Sequence, residues 1–201
     1  MKQYARKHYL DQLIQKKDNG RIKVITGLRR SGKSYLLFTL YRQYLLDSGI
    51  NEDQIVGLAL DEIDNAKYRN PFELNKVVRE RMPDPNRRYY VFIDEIQFVA
   101  EIPNPYVNDP NEMISFIDVV LGLMKLPNAD IYVTGSNSRM LSSDILTQFR
   151  DRGDEIRVNP FSFAEVYEQY EGDKRGAWRD FYTYGGMPLV WAMKTHEEKS
   201  R

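Results

Sequence analysis

The chain has no cysteine and two histidines, His8 and His196. Disulfide frameworks, cysteine-ligated zinc, iron–sulfur clusters and thiol catalysis are therefore excluded, and a histidine-rich metal site cannot be assembled. Net charge is missing too, since 29 basic residues balance 29 acidic ones. That balance argues against a uniformly basic nucleic-acid binder or a polybasic membrane adaptor. The longest apolar stretches, Tyr89 to Ile93 and Val119 to Met124, fall far short of the ~20 residues needed to cross a bilayer. The opening Met1-Lys2-Gln3-Tyr4-Ala5-Arg6-Lys7-His8 has neither an apolar core nor a small-residue cleavage site, so no secretory signal is read. A cytoplasmic protein with no membrane partner is expected. What is present is 201 residues with 42% apolar side chains, enough to build one core, or one domain with an appended piece.

Helical and strand periodicities alternate along the chain. A helix is predicted over Tyr4 to Lys17, a strand over Arg21 to Thr26 and a helix over Ser34 to Leu46. Strand Gln54 to Leu60, helix Pro71 to Arg81 and the fully buried strand Tyr89 to Asp94 follow. Further on come helix Met113 to Met124, strand Asp130 to Thr134, helix Arg139 to Phe149 and strand Glu155 to Val158. Five strands separated by helices predict an α/β fold, a mostly parallel sheet covered on both faces. Ala100 to Asn111, with three prolines, is predicted to be an exposed loop. After Asn159-Pro160 the pattern turns helical, in Phe163 to Tyr170 and Trp178 to Tyr184, and breaks at Gly185-Gly186-Met187-Pro188. The expected division is therefore 1–159 and a helical extension, 160–201, which ends as though it began a longer C-terminal region.

Gly27-Leu28-Arg29-Arg30-Ser31-Gly32-Lys33-Ser34 matches G-x-x-x-x-G-K-[ST] at every defined position, between a predicted strand and a predicted helix. The spacing follows from chemistry. Gly27 and Gly32 let backbone N–H groups turn inward, Lys33 reaches β- and γ-phosphates, and Ser34 offers a hydroxyl to Mg²⁺ at a helix N-terminus. The run from Gly27 to Tyr35 is the expected nucleotide-binding segment, in which Arg29 and Arg30 could add charge near the phosphates, with at least one of them read as solvated.

Tyr89 to Ile93 ends in Asp94-Glu95. Such a pair suits a metal-supporting aspartate, Asp94, followed by a water-activating glutamate, Glu95, with strand alternation sending the two side chains to different sides. Asp61, after the strand ending at Leu60, competes more weakly for the metal role. Thr134-Gly135-Ser136-Asn137-Ser138 closes another strand with small polar residues, and Asn137, with Ser136 behind it, is the candidate γ-phosphate sensor. Arg6 and Tyr9 are the candidates for an adenine pocket.

These stations, in this order, resemble the ASCE division of P-loop ATPases. The closer resemblance is to prokaryotic AAA-like ATPases with signatures of the form G-x-R-R-x-G-K-S, D-E-[IV]-Q, T-G-S-N-S and P-[FL]-S-F-x-E. The matching segments are Gly27 to Ser34, Asp94-Glu95-Ile96-Gln97, Thr134 to Ser138, and Pro160-Phe161-Ser162-Phe163-Ala164-Glu165. The resemblance implies a P-loop NTPase three-layer sandwich with sheet order 5-1-4-3-2, which would place Asn137 between loop and glutamate. It also implies ATP as the nucleotide, with no guanine-reading N-K-x-D present, and further winged-helix and nuclease-like regions in full-length members. A phosphate-contacting arginine is implied at Arg152, with Arg150 nearby, although Asp151 replaces the glycine expected beside it.

The expected function is thus Mg²⁺-dependent ATP hydrolysis, with Lys33, Glu95, Asn137 and Arg152 as catalytic candidates and Ser34 and Asp94 at the metal. A nucleotide-gated switch with little turnover is the alternative, and a phosphotransferase is a weaker rival. A second copy or another protein is the open macromolecular partner. Arg79, Arg81, Arg87 and Arg88 read as a solvated face, so no tight nucleic-acid binding is expected.

Overall fold

The computed structural model describes residues 4–135, 149, 152–193 and 195–199. Its strands are β1 (Ile22–Thr26), β2 (Ile55–Ala59), β3 (Tyr89–Asp94), β4 (Ile102–Pro103), β5 (Met113–Ile114), β6 (Ala129–Thr134) and β7 (Gly153–Arg157). Five of them form one sheet in the order β2-β3-β6-β1-β7, and every pairing within it is parallel. Counting that sheet's strands alone, from the β7 edge, the order is 5-1-4-3-2.

The inner strands β1, β3 and β6 are buried along their whole length, as strands covered on both faces must be. Alternation deals their residues to two cores. Val24, Val91, Ile93, Ile131 and Val133 face one side, against Leu74, Val77 and Val78 of α4 (Pro71–Glu80) and Val119, Val120 and Leu123 of α5 (Phe116–Met124). Ile25, Tyr90, Phe92 and Tyr132 face the other. There they meet Tyr9 and Leu13 of α1 (Lys7–Lys16) and a helix that begins as α2 (Lys33–Tyr35), becomes π-helical over Leu36–Tyr41 and continues as α3 (Arg42–Asp47). The fold is the three-layer α/β sandwich of P-loop NTPases.

Local signals explain most element ends. Asn70 accepts from the Phe72 and Glu73 N–H groups and Pro71 occupies the first turn of α4, which satisfies orphan donors and presets φ. Two expectations change. Met113 does not start a helix, because Met113–Ile114 pairs antiparallel with Ile102–Pro103. The helix waits for Ser115, which caps the N–H of Ile117 while Asp118 accepts from the Ser115 N–H. The expected proline-rich loop is thereby closed as a hairpin. The expected helix Arg139 to Phe149 falls, apart from Phe149, outside the described residues.

After β7 come α6 (Phe163–Glu168), α7 (Lys174–Tyr184), α8 (Pro188–Ala192) and α9 (His196–Lys199). Ser162 and Glu165 form a capping box on α6, and Asp173 caps α7, so α7 begins earlier than periodicity alone predicts.

Candidate nucleotide site

Strand β1 runs directly into the glycine-bearing loop, and the loop into α2. Gly27 has φ 141°, and a Cβ there would lie 2.1 Å from the Val158 carbonyl oxygen. Only glycine fits where the segment just after β7 passes this close. Arg30 takes a left-handed backbone, and the Ser31 N–H closes a turn on the Leu28 carbonyl at 3.2 Å. The Leu28, Arg29 and Arg30 side chains are exposed, whereas Ser31 and Lys33 are buried. Arg29 and Arg30 are both exposed, and Arg30 also stands on the wall of a cavity beside the loop.

Lys33 folds back across its own loop. Its Nζ donates to the Gly27 carbonyl at 3.2 Å and the Leu28 carbonyl at 3.0 Å. Burial pushes its pKa down, and the neighbouring Glu95 and Asp94 carboxylates oppose that shift. Loop cation and strand acids therefore occupy one locale.

Asp94 ends β3 and is 5% exposed. Burial pushes its pKa up, hydrogen bonds from Thr134 and Ser34 oppose that, and the charges of Glu95 and Asp61 add to the rise. Asp61 itself is exposed, just past β2, so the two competing acids are separated by burial and by Ser34's contact with Asp94. A hydroxyl and one carboxylate suit Mg²⁺, which keeps water and phosphate oxygens as its remaining ligands. No cluster of three or more histidine, cysteine, aspartate or glutamate side chains placed to hold a metal occurs among the described residues.

Glu95 separates from Asp94 by a different means than strand alternation. Its backbone is left-handed, at φ 52° and ψ 50°, and it opens a short 3₁₀ turn over Ile96–Phe98. A non-glycine residue held there costs on the order of 1–3 kcal/mol and points to function. Thr134, at the end of β6, links the pair: its hydroxyl donates to Asp94 Oδ1 and accepts from the Glu95 N–H, the latter at 3.0 Å. Gln97 Nε2 donates to Glu95 Oε2. Neither Thr134 nor Gln97 stood out as a side chain in the sequence, although both lie inside the motifs T-G-S-N-S and D-E-I-Q.

Strand β6 lies between β1 and β3, which is where the sensor strand was expected. Ser136, Asn137, Arg150 and Asp151 lie outside the described residues. Arg152 is exposed just before β7, its carbonyl accepting from the Ile22 N–H at 2.9 Å.

A cavity of about 470 Å³ opens beside the loop, lined by Tyr4, Arg30, Tyr35, Phe161, Pro188 and Trp191 among others. The Tyr35 hydroxyl is buried with no hydrogen-bond partner among the described residues. Gly186 brings the C-terminal helices here. Its carbonyl accepts from the Phe161 N–H at 2.7 Å, and a Cβ on Gly186 would lie 2.1 Å from the Phe161 carbonyl oxygen. Arg6 and Tyr9 do not line this cavity. Arg6 is 3% exposed, held between the Tyr9 and Phe161 rings, bonded to the Asn159 carbonyl and paired with Glu165 at 3.4 Å. Tyr9 Oη accepts from the Asn159 N–H. Both residues tie α1 to the start of the C-terminal helices.

Comparison with known proteins gives the same frame. A family model described as an AAA domain matches residues 19–167. An uncharacterized protein of Haemophilus influenzae is 35% identical over 191 residues, covering 92% of this chain and 44% of that protein. An uncharacterized protein of Methanocaldococcus jannaschii is 27% identical over 186 residues, covering 85% and 36%. The chain therefore spans less than half the length of these two curated relatives. Among solved structures, a DNA polymerase III gamma subunit-related protein of Thermotoga maritima superposes with TM-score 0.56 at 14% identity, over 95% of this chain and 57% of that one. A Walker-type ATPase of Pyrococcus abyssi superposes with TM-score 0.52 at 18% identity, over 94% and 65%. Both share the fold.

Proposed function

The chain belongs to the AAA domain family, and from that premise we propose that it binds ATP with Mg²⁺ and hydrolyses it. The observation that carries this reading is the convergence of Lys33, Ser34, Asp94 and Glu95 at one end of the sheet, with loop amides before them and a cavity beside them. The loop from Gly27 to Tyr35 holds the phosphates through backbone N–H groups, and Lys33 exchanges its two carbonyl partners for phosphate oxygens. Ser34 and Asp94 are the residues that would hold Mg²⁺, which would supply positive charge to neutralise that developing on the phosphates. Glu95 accepts a proton from the attacking water. Asn137 and Arg152 are proposed to contact the γ-phosphate, Asn137 because it follows the strand between loop and glutamate. Arg152 is proposed because it leads into β7, next to β1.

The cavity is assigned to the nucleoside. The rings of Tyr4, Tyr35, Phe161 and Trp191 offer the apolar faces a base requires. In this reading residues 1–159 carry the chemistry, and 160–201 are a helical extension that feels nucleotide through Phe161 and Pro188. That shared wall favours a second role, in which ATP also positions the extension against a further region or partner.

Calorimetry with MgATP, paired with phosphate release, tests the reading. Wild type is expected to bind and turn over. Lys33→Ala is expected to bind MgATP about 10- to 100-fold more weakly, the loss of one charge-assisted contact of about 1.5–3 kcal/mol. Unchanged affinity in Lys33→Ala would remove the loop from nucleotide binding.

A further inference from the structure

The Thr134 hydroxyl touches both acids of the site at once. Thr134 is fully buried at the end of β6, the strand that pairs with β1 on one side and β3 on the other. Toward β1 it is in register with Ile25, just ahead of Gly27, and the Gly135 N–H donates to the Ile25 carbonyl at 3.2 Å. Toward β3 its hydroxyl reaches Asp94 and Glu95. The strand that leads into the phosphate loop and the strand that carries the acids are thus both fixed against this residue.

The direction of each bond follows from its groups. A backbone N–H only donates, so the hydroxyl oxygen accepts from Glu95 at 3.0 Å and its single proton goes to Asp94 Oδ1. Each bond strengthens the other, because accepting the N–H makes the hydroxyl a better donor. Asp94, which Ser34 also contacts, is held at one oxygen and so cannot rotate its carboxylate freely. Glu95 is held at its N–H where the chain leaves β3 in a left-handed conformation, the turn that sets the direction of its side chain. Closing the end of β3 would need the N–H bond alone. The second bond goes to the acid assigned to the metal.

We propose that Thr134 is a positioning residue for hydrolysis: its one hydroxyl sets the carboxylate of Asp94 and the backbone of Glu95 in a single geometry. The inference rests on the hydrolytic reading given above. Outer partners of this kind, which touch neither metal nor substrate, typically change metal affinity or activity 10- to 100-fold when removed. Valine has the shape of threonine without the hydroxyl, so Thr134→Val removes both bonds and keeps the packing. Thr134→Ser keeps the hydroxyl.

The test compares the wild-type chain, Thr134→Val, Thr134→Ser, Glu95→Gln and the Thr134→Val/Glu95→Gln double variant. Phosphate release is read at saturating Mg²⁺, and calorimetry gives ADP affinity without metal and Mg²⁺ affinity of the ADP-loaded protein. Thr134→Val is expected to bind ADP within about twofold of wild type, to bind Mg²⁺ about 10-fold more weakly and to lower kcat about 10- to 100-fold. Thr134→Ser is expected to stay within about fivefold of wild type in both. In the Glu95→Gln background, adding Thr134→Val is expected to cost less than about threefold more in kcat, since the hydroxyl acts there through Glu95. With wild type active, any of four results overturns the role: kcat within threefold of wild type in Thr134→Val, Mg²⁺ affinity within twofold, Thr134→Ser as impaired as Thr134→Val, or a double variant whose loss is the product of the singles. If Thr134→Val does not fold, Thr134→Ser against Thr134→Ala reads the same hydroxyl, and equal turnover in those two overturns the role. A wild-type chain that binds MgATP without Glu95-dependent turnover overturns the hydrolytic reading, and this inference with it.

Discussion

Glu95→Gln is expected to bind MgATP within a few-fold of wild type and to release phosphate about 10²- to 10³-fold more slowly. The substitution keeps size and shape and removes the ability to take a proton, and general-base assistance is typically worth 10²–10⁴ in rate. The surroundings permit it without rearrangement. The backbone at 95 is set by its left-handed φ and by the N–H bond to Thr134, neither of which depends on the side chain's charge. A glutamine there can turn its carbonyl toward Gln97 Nε2 and preserve that bond. Lys33 and Ser34, the residues assigned to phosphate and metal, are untouched, so binding and turnover come apart. Steady-state phosphate release with calorimetry on the same preparation checks this, and turnover within threefold of wild type would sink the assignment.

The second large effect lies away from the nucleotide. Lys23 is fully buried on β1, its Nζ bonded at 2.5 Å to Asp130 Oδ1 on β6. Asp130 Oδ2 accepts from the Tyr132 hydroxyl at 2.7 Å and from the Asp18 N–H at 2.9 Å, and the Tyr41 and Tyr132 hydroxyls meet at 2.5 Å. Burial pushes the Lys23 pKa down and Asp130 is the largest influence holding it up. The pair is thus an ion pair inside the layer between sheet and helices. Removing Lys23 leaves the Asp130 carboxylate buried with a more distant cation, Arg88 at 4.0 Å from Oδ1, so Lys23→Met is expected to cost about 3–5 kcal/mol in urea denaturation, by analogy with other broken buried pairs. Lys23→Met/Asp130→Asn removes both charges and keeps an acceptor for Tyr132 or Asp18. It should recover at least half of that loss, because most of the penalty is the stranded carboxylate. A single variant within 1 kcal/mol of wild type would show the pair to be well solvated.

The phosphate loop was legible because its chemistry is local. The G-x-x-x-x-G-K-S spacing encodes a turn, a close backbone approach at Gly27 and a helix start, all within eight residues. Asp94-Glu95 was legible for the same reason, at the end of an unbroken apolar run. The way the two acids part was not. Alternation is the default for a strand, and the left-handed turn at Glu95 has no glycine or asparagine to announce it. Met113 misled because an apolar residue before a helix fits helical spacing as well as it fits a two-residue strand, and its strand partner, Pro103, lies across the intervening loop.

Composition, spacing and periodicity in this chain settled the class of fold, the loop and the pair of acids, since each is written in neighbours along the chain. Four features were decided by the tertiary structure alone. Thr134 joins acids about forty residues away, Lys23 meets Asp130 across two strands, and Arg6 lies buried against Asn159 and Glu165. A cavity gathers Tyr4, Tyr35, Phe161 and Trp191. A polar residue's partner is chosen by whichever groups the packed sheet and helices bring within 3 Å of it, and that choice leaves no periodic trace in the sequence.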